Sequence, residues 1–334
     1  MKKPSATPAE AHVLAPALFE PASPERSYHE ALRAAPALRL ILTRGREQRR
    51  AASVQFHYAL FGLFGIAAGG DGDLPVAAAT ALFDLPGLSG GGAWLRADPV
   101  HLRPDLGRLL LFDAATFELS MAEATRLTEE INAALAEEGF RLRVGRDPGR
   151  WYLPMASAPA IQTVPPRPVR GQHVDPFLPR GAGAQRWRRL ANDVQMVLHS
   201  SPVNAAREGR GEPAVNSVWF WGGGVLPRSD AAWTAVVTDV PVAAGLAMAA
   251  GLPLVEAPPP HPPATGRWLY VPAAGARDGT MQALDSSLLA PLLAALRRGS
   301  LAAITVHLPR ASYTLRRGDL WRFWRRLPRT APTA

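Results

Sequence analysis

The stretch from Asp193 to Pro227, DVQMVLHSSPVNAAREGRGEPAVNSVWFWGGGVLP, decides how the rest of the chain is read. It runs from an amphipathic helix through a polar turn into an apolar strand and closes on three glycines. Trp219 and Trp221 alternate with Phe220, so the indoles share one face of the strand and Phe220 takes the other. A strand apolar on both faces is expected in the middle of a sheet. Gly222, Gly223 and Gly224 allow a tight turn or close approach of the backbone to a ligand. Asn204, Arg207 and Asn216 are polar groups in apolar company, and they have two readings. In the structural one, the asparagines bond backbone groups at the turn and the strand start, and Arg207 is a surface residue of a short helix. In the ligand-binding one, Arg207 offers its guanidinium fork to a carboxylate or phosphate.

Upstream, Gln185 to His199 is a helix burying Trp187, Leu190, Val194 and Val197. Ala156 to Ala184 is a crossing segment rich in Pro, Gly and Arg, extended where prolines cluster. Before it, Trp94 to Arg103 and Leu109 to Phe112 read as strands. Ser120 and Glu123 form a capping box ahead of a helix with Leu127 and Ile131 in its buried stripe, ended by Gly139. Phe140 to Val144 and Trp151 to Leu153 are two further strands, which completes an α+β unit.

Downstream, a strand at Thr234 to Val237, a helix at Val242 to Ala250 and a strand at Leu252 to Ala257 form a βαβ pattern with a parallel pair. Arg267 to Pro272, Leu301 to Leu308 and Ser312 to Leu315 are strands, and Leu284 to Arg298 is a helix closed by Gly299. Asp319 to Arg326 reads as a helix whose Trp321, Phe323 and Trp324 make core contacts. At the other end, residues 1–25 are Pro- and Ala-rich and read as a frayed terminus. Arg44, Arg46, Arg49 and Arg50 read as a solvated helix face. GGDGDLP, Gly69 to Pro75, is a loop whose Asp71 and Asp73 are too few donors for an oxygen-ligand metal site. It leads into a helix at Val76 to Phe83 with Pro75 in the first turn.

The chain has 334 residues, 47% of them hydrophobic, which suffices for a sizeable core and about two domains. It has no cysteine, which removes disulfides and thiolate metal sites and fits a reducing, cytoplasmic setting. Met1 to Glu20 lacks a continuous apolar core, so a secretory signal is not expected. No apolar run approaches the roughly 18 residues of a membrane span. The net charge is +9 and the pI about 10.8, but arginine is scattered along the chain, which argues against nucleic acid as the partner. The eight histidines show no i, i+4 pair, and there is no G-x-S-x-G, Walker or Rossmann glycine pattern.

Pro202, Asn204, Arg207, Gly211, Asn216, Trp219, Gly222 and Gly224 follow one another in the order found in archaeal-type cofactor-independent phosphoglycerate mutases. From about Trp94 to Ala257 the chain resembles that family, with WLRADPVHLR, EEGFRLRV and GRWYLP matching its inserted domain. The whole chain, including RGDLWRFWRR, is similar to the bacterial regulatory proteins called RpfE-type. The resemblance implies an α/β fold, a partial alkaline-phosphatase-like parallel sheet with an α+β insert. It implies a core part at 26–92, an insert at 93–215 with its crossing segment at 156–184, a C-terminal core at 216–328 and a tail at 329–334.

The family's chemistry uses two divalent metals on Asp and His clusters and a phosphate-carrying serine. Those clusters are missing here: there is no opening Asp-Gly pattern on a strand, and His307 falls where an Asp–His pair is due but follows Val306. The expectation is therefore a non-catalytic or regulatory relative with no catalytic residue, no metal and no cofactor. Its partner would be a small phosphorylated or carboxylated anion or a protein. The anion contacts would be Arg96, Arg150, Asn204, Arg207 and Asn216 facing Gly222, Gly223 and Gly224. The alternative is an active mutase holding two divalent ions, such as manganese, on relocated ligands.

Overall fold

The computed structural model describes residues 9–19, 28–67, 73–88, 91–256, 258, 265–273 and 281–327. Asp71, His261, most of the Pro-rich loop 258–264 and the expected tail at 329–334 lie outside them. The chain packs as two units, residues 1–66 with 228–334, and residues 67–227. The insert thus takes in 67–92 and 216–227, beyond the limits of 93 and 215 suggested by the sequence.

The strands are β1 (Glu10–Val13), β2 (Arg46–Arg49), β3 (Ala93–Asp105), β4 (Arg108–Asp113), β5 (Arg143–Val144), β6 (Trp151–Met155), β7 (Ser217–Val225), β8 (Ala235–Thr238), β9 (Leu254–Val255), β10 (Arg267–Val271), β11 (Ala303–His307) and β12 (Ala311–Arg316). In the discontinuous unit they order as β2-β12-β11-β1-β10-β8-β9. From β11 to β9 the neighbours are parallel, and β12 and β2 add an antiparallel edge. The expected βαβ is present, with helix Pro241–Ala249 joining β8 to β9.

β1 corrects the reading of residues 1–25 as frayed. Ala11 and Val13 face the core while Glu10 and His12 face the other side, a period of two hidden by the Pro- and Ala-rich composition. β1 pairs with β10 on one side and β11 on the other. Val13, Leu38, Ile41, Tyr270, Leu292, Ile304 and Val306 belong to one buried cluster. The basic cluster is likewise not a helix face. Arg46–Arg49 is an edge strand exposed throughout, and a charged edge resists pairing with another sheet. The helix expected to end at Arg298 starts at Met281, passes through a π turn at Asp285–Leu289 and closes on Gly299 at φ 80°.

The helix expected at 319–326 is only a short 3₁₀ stretch, Arg317–Trp321. Leu320 and Leu327 pack against the core, while Trp321, Phe323 and Trp324 are 77%, 76% and 68% exposed. The reading of these rings as core contacts is therefore corrected.

In the contiguous unit β3 is the spine. It pairs with β7 along Ala93–Val100, and on its other edge with β6 and then β4. Alternation divides its residues: Trp94 packs with Tyr152 and the helix Val76–Asp84, while Leu95 and Ala97 join Phe220, Trp187 and Ile131 on the other face. Among the described residues β7 pairs with β3 alone and so is an edge strand, not a central one. Its free side is covered by the crossing segment. The Trp219 indole donates to Val164 O at 2.7 Å, and Gly222 N–H donates to Thr163 Oγ1 at 3.0 Å.

Candidate functional site

In the contiguous unit, the two asparagines of the central stretch follow the structural reading. Asn204 donates to the carbonyls of Leu198 and Val215 and accepts from Val215 N–H, which ties two segments across a turn. Asn216 makes a two-way bridge to the backbone of Leu102 on β3, at 2.7 and 2.9 Å.

Arg207 is buried, not on the surface, at 1% exposure. Its Nε donates to Pro213 O at 2.9 Å and its Nη2 to Glu118 O at 2.8 Å. Its Nη1 stands 3.1 Å from Glu123 Oε1 and 3.5 Å from Glu212 Oε2, within ion-pair distance but without hydrogen-bond geometry. Glu123 is also the reciprocal partner of Ser120 in the capping box. The fork is thus committed to holding the helix Met121–Ala134 and the turn after Gly209.

Arg96 and Arg150 lie near one another but apart from the partners of Arg207. Arg96 pairs with Asp98, two residues along the same strand face, at 2.7 Å, and lies over the rings of Tyr152 and Trp221. Asp98 also accepts from the Trp221 indole at 2.7 Å. Burial pushes the Asp98 carboxyl up, and the Arg96 guanidinium opposes that shift. Arg150 grips buried Asp84 with two hydrogen bonds of 2.6 and 2.9 Å, and the Tyr152 hydroxyl donates to the same carboxylate. Each arginine is therefore neutralised by a carboxylate of the protein.

The glycines do approach closely, but to protein. A Cβ on Gly223 would stand 2.6 Å from Pro159 Cγ, and Gly222 at φ 66° backs onto Val76. The Gly222 N–H donates to Thr163 Oγ1, and the Asp73 carboxylate, which accepts from Thr163 N–H and Oγ1, lies close to the Gly222–Gly223 backbone. The anion expected against this backbone is a side chain from the loop GGDGDLP. The structure thus does not assemble one pocket from Arg207, Arg96, Arg150 and the glycines.

A different constellation lies in the discontinuous unit, at the carboxyl end of the parallel sheet, where ligands of open α/β sheets bind. His12 on β1 is in register with Thr305, two residues before His307 on β11, so both imidazoles share a face. His12 Nδ1 and His307 Nε2 are 3.2 Å apart, and one donates to the other. His307 is in register with Ser312 on β12, and its Nδ1 is 2.9 Å from the serine Oγ. Ser312 is in register with Gln48 on β2. A polar row thus crosses four strands. Arg50, just past β2, donates to Leu308 O and reaches Ser312 Oγ at 3.4 Å. Gln48, Arg49, Arg50, Tyr58, His307 and Ser312 line a pocket of about 340 Å³.

The electrostatics there are cationic. Burial, then the Arg267 guanidinium, lowers His12 from 6.5 to about 4. Burial, then His12, Arg50 and Arg267, lowers His307 to about 3. Burial also lowers the Arg50 pKa. Among the described residues no carboxylate is within ion-pair distance of Arg50. Glu10 stands 3.9 Å from His12 Nε2. Among the described residues the row offers two imidazoles and one acid at 3.9 Å, fewer donors than the two-metal clamp that the resemblance implies. Among the described residues no three His, Asp or Glu side chains converge at ligand distance.

The sequence reading noted His307 but missed His12, Arg50 and Ser312. The short connection from His307 to Ala311 makes His307 and Ser312 hairpin neighbours, a signal that was available. Nothing local marked His12, which lies 295 residues away from His307.

No protein-family model matches the chain. Over 167 residues it is 29% identical to a probable 2,3-bisphosphoglycerate-independent phosphoglycerate mutase of Geobacter sulfurreducens, covering 48% of this chain and 42% of that one. Over 179 residues it is 28% identical to the corresponding mutase of Methanosarcina mazei, covering 49% and 44%. The match therefore spans less than half the length of either relative. The PH0037 protein from Pyrococcus horikoshii has a similar fold, with a TM-score of 0.54 at 14% identity over 93% of this chain and 88% of that one. The cofactor-independent phosphoglycerate mutase of Thermoplasma acidophilum aligns at a TM-score of 0.49 and 15% identity over 98% and 95%. The chain is a distant relative of the cofactor-independent phosphoglycerate mutases, with a mixed α/β fold built on a large parallel sheet.

Proposed function

We propose that this protein is a non-catalytic, regulatory relative of the phosphoglycerate mutases that binds a small phosphorylated or carboxylated anion. The pocket is the one lined by Arg50, His307 and Ser312. The observation that carries this reading is the state of Arg50. It is half-buried and faces a pocket, and among the described residues it lacks the carboxylate partner that Arg96, Arg150 and Arg207 each have. A desolvated guanidinium without a counter-ion favours an anionic ligand, and its planar donors suit phosphate or carboxylate oxygens. The small donor set around His12 and His307, among the described residues, opposes the alternative reading, a mutase with two relocated divalent ions.

The test is a thermal melt with 3-phosphoglycerate and with inorganic phosphate, because any ligand of the native state raises the transition. The wild type is expected to gain stability with at least one of them, and Arg50→Gln to keep its fold and lose the gain. No gain in the wild type, or an equal gain in the variant, would overturn the pocket. In the same series, protein incubated with manganese is expected to show no interconversion of phosphoglycerates, and turnover would establish the enzymatic alternative.

A further inference from the structure

We infer that the segment Arg316 to Leu327, RRGDLWRFWRRL, is a docking platform for single-stranded nucleic acid. This is independent of the anion pocket. The segment carries five arginines and one acid, Asp319. That acid is consumed internally: it is buried, Arg322 pairs with it at 2.9 Å and Arg46 lies at 3.6 Å. The remaining surface is positive, with Arg316, Arg317, Arg325 and Arg326 all exposed.

The segment is held against the body of its unit. Arg44 donates to Leu320 O, Arg325 Nη1 donates to Gly45 O at 2.6 Å, and Arg316 N–H donates to Asp319 Oδ2 at 3.1 Å. Leu320 and Leu327 pack on the core. This anchoring fixes which side chains turn outward, and they are Trp321, Phe323 and Trp324, more than two-thirds exposed. Phe323 and Trp324 meet edge to face, with centroids 5.4 Å apart. Three solvated rings are costly to leave in water and need a partner to justify them.

The chemistry of the patch selects the partner. The exposed apolar surface is aromatic only, since both leucines point inward. Flat rings interleaved with guanidiniums match unpaired bases and the phosphates between them: bases stack on the rings and arginines track the backbone. An interfacial membrane segment presents Trp, Phe and Leu together along the face of an amphipathic helix, whereas here the leucines pack on the core and only a short 3₁₀ stretch forms. The sequence reading weighed against nucleic acid because arginine is scattered and the aromatics were assigned to the core, and their exposure removes the second reason.

The experiment measures fluorescence anisotropy of labelled oligo-dT and oligo-U, each 20 nucleotides long, with the full chain at two salt concentrations. Binding is expected with at least one oligonucleotide, weakening as salt rises, with quenching of tryptophan emission; the two arms distinguish DNA from RNA. The double variant Trp321→Ala/Trp324→Ala removes exposed rings, so it should melt with the wild type and bind at least about tenfold more weakly. Arg326→Ala should flatten the salt dependence. No binding by the wild type overturns the inference, as does unchanged affinity in the double variant. Binding to phosphatidylglycerol vesicles without binding to either oligonucleotide would also overturn it and assign the patch to a membrane surface.

Discussion

His12 and His307 sit where a protonated imidazole is disfavoured, and this ties stability to pH. Both are held below the ordinary 6.5, at about 4 and about 3. Their neutral forms are the ones that fold, so the stabilisation is complete above pH 6.5 and is lost as the pH falls through 4 towards 3. Urea midpoints measured from pH 7 to pH 4 are expected to decline more steeply for the wild type than for His307→Asn, and parallel curves would refute this. Trp219 makes a second claim at this scale. It is 5% exposed and its indole donates to Val164 O, so Trp219→Ala should cost about 3–5 kcal/mol. An unchanged unfolding midpoint would reassign the ring to ligand stacking.

Among the elements, helix Pro36–Arg44 has no side-chain cap of its own, since Ala35 stands at its N-cap. The carboxylate of Asp285, in the π turn of the 281–298 helix, accepts from Ala37 N–H at 3.1 Å and Leu38 N–H at 2.6 Å. It satisfies two orphan donors and places negative charge at the positive end of the helix. Asp285→Ala is expected to lose about 1–2 kcal/mol, with Asp285→Asn losing less, in denaturant melts. Equal stability of all three proteins would show the cap to be idle. Local signals were legible where the determinant was local: the Ser120–Glu123 box, the αL glycines Gly139 and Gly299, and the β8–helix–β9 unit all form as read. The Asp285 cap was not, because donor and acceptor lie almost 250 residues apart. The aromatics near 321 misled because hydrophobicity alone does not say whether Leu320 and Leu327 or the rings face inward. The glycines were read as allowing a tight turn or close approach to a ligand, and here the groups that come close are the protein's own Pro159, Val76 and Thr163, which pattern alone does not distinguish from a ligand.

At the scale of the whole molecule, arginine is abundant and its meaning lies in its partners. Arg96, Arg150 and Arg207 stood out in the sequence, yet each is neutralised within the fold, while Arg50 was read as part of a solvated face and keeps its charge at the pocket. The class of fold followed from the resemblance and the βαβ unit from local pattern, but the route by which the parallel sheet is completed was not legible. β1 is flanked by β10 and β11, so both of its neighbours are encoded more than two hundred residues later. The unit spanning 67–227 is encoded without interruption between them. On the ribosome, the insert is therefore complete while β1 still lacks both neighbours. The sheet closes around β1 only when β10 and β11 emerge, so β1 stays an unpaired edge while the insert is made, exposed to chaperones and to other chains.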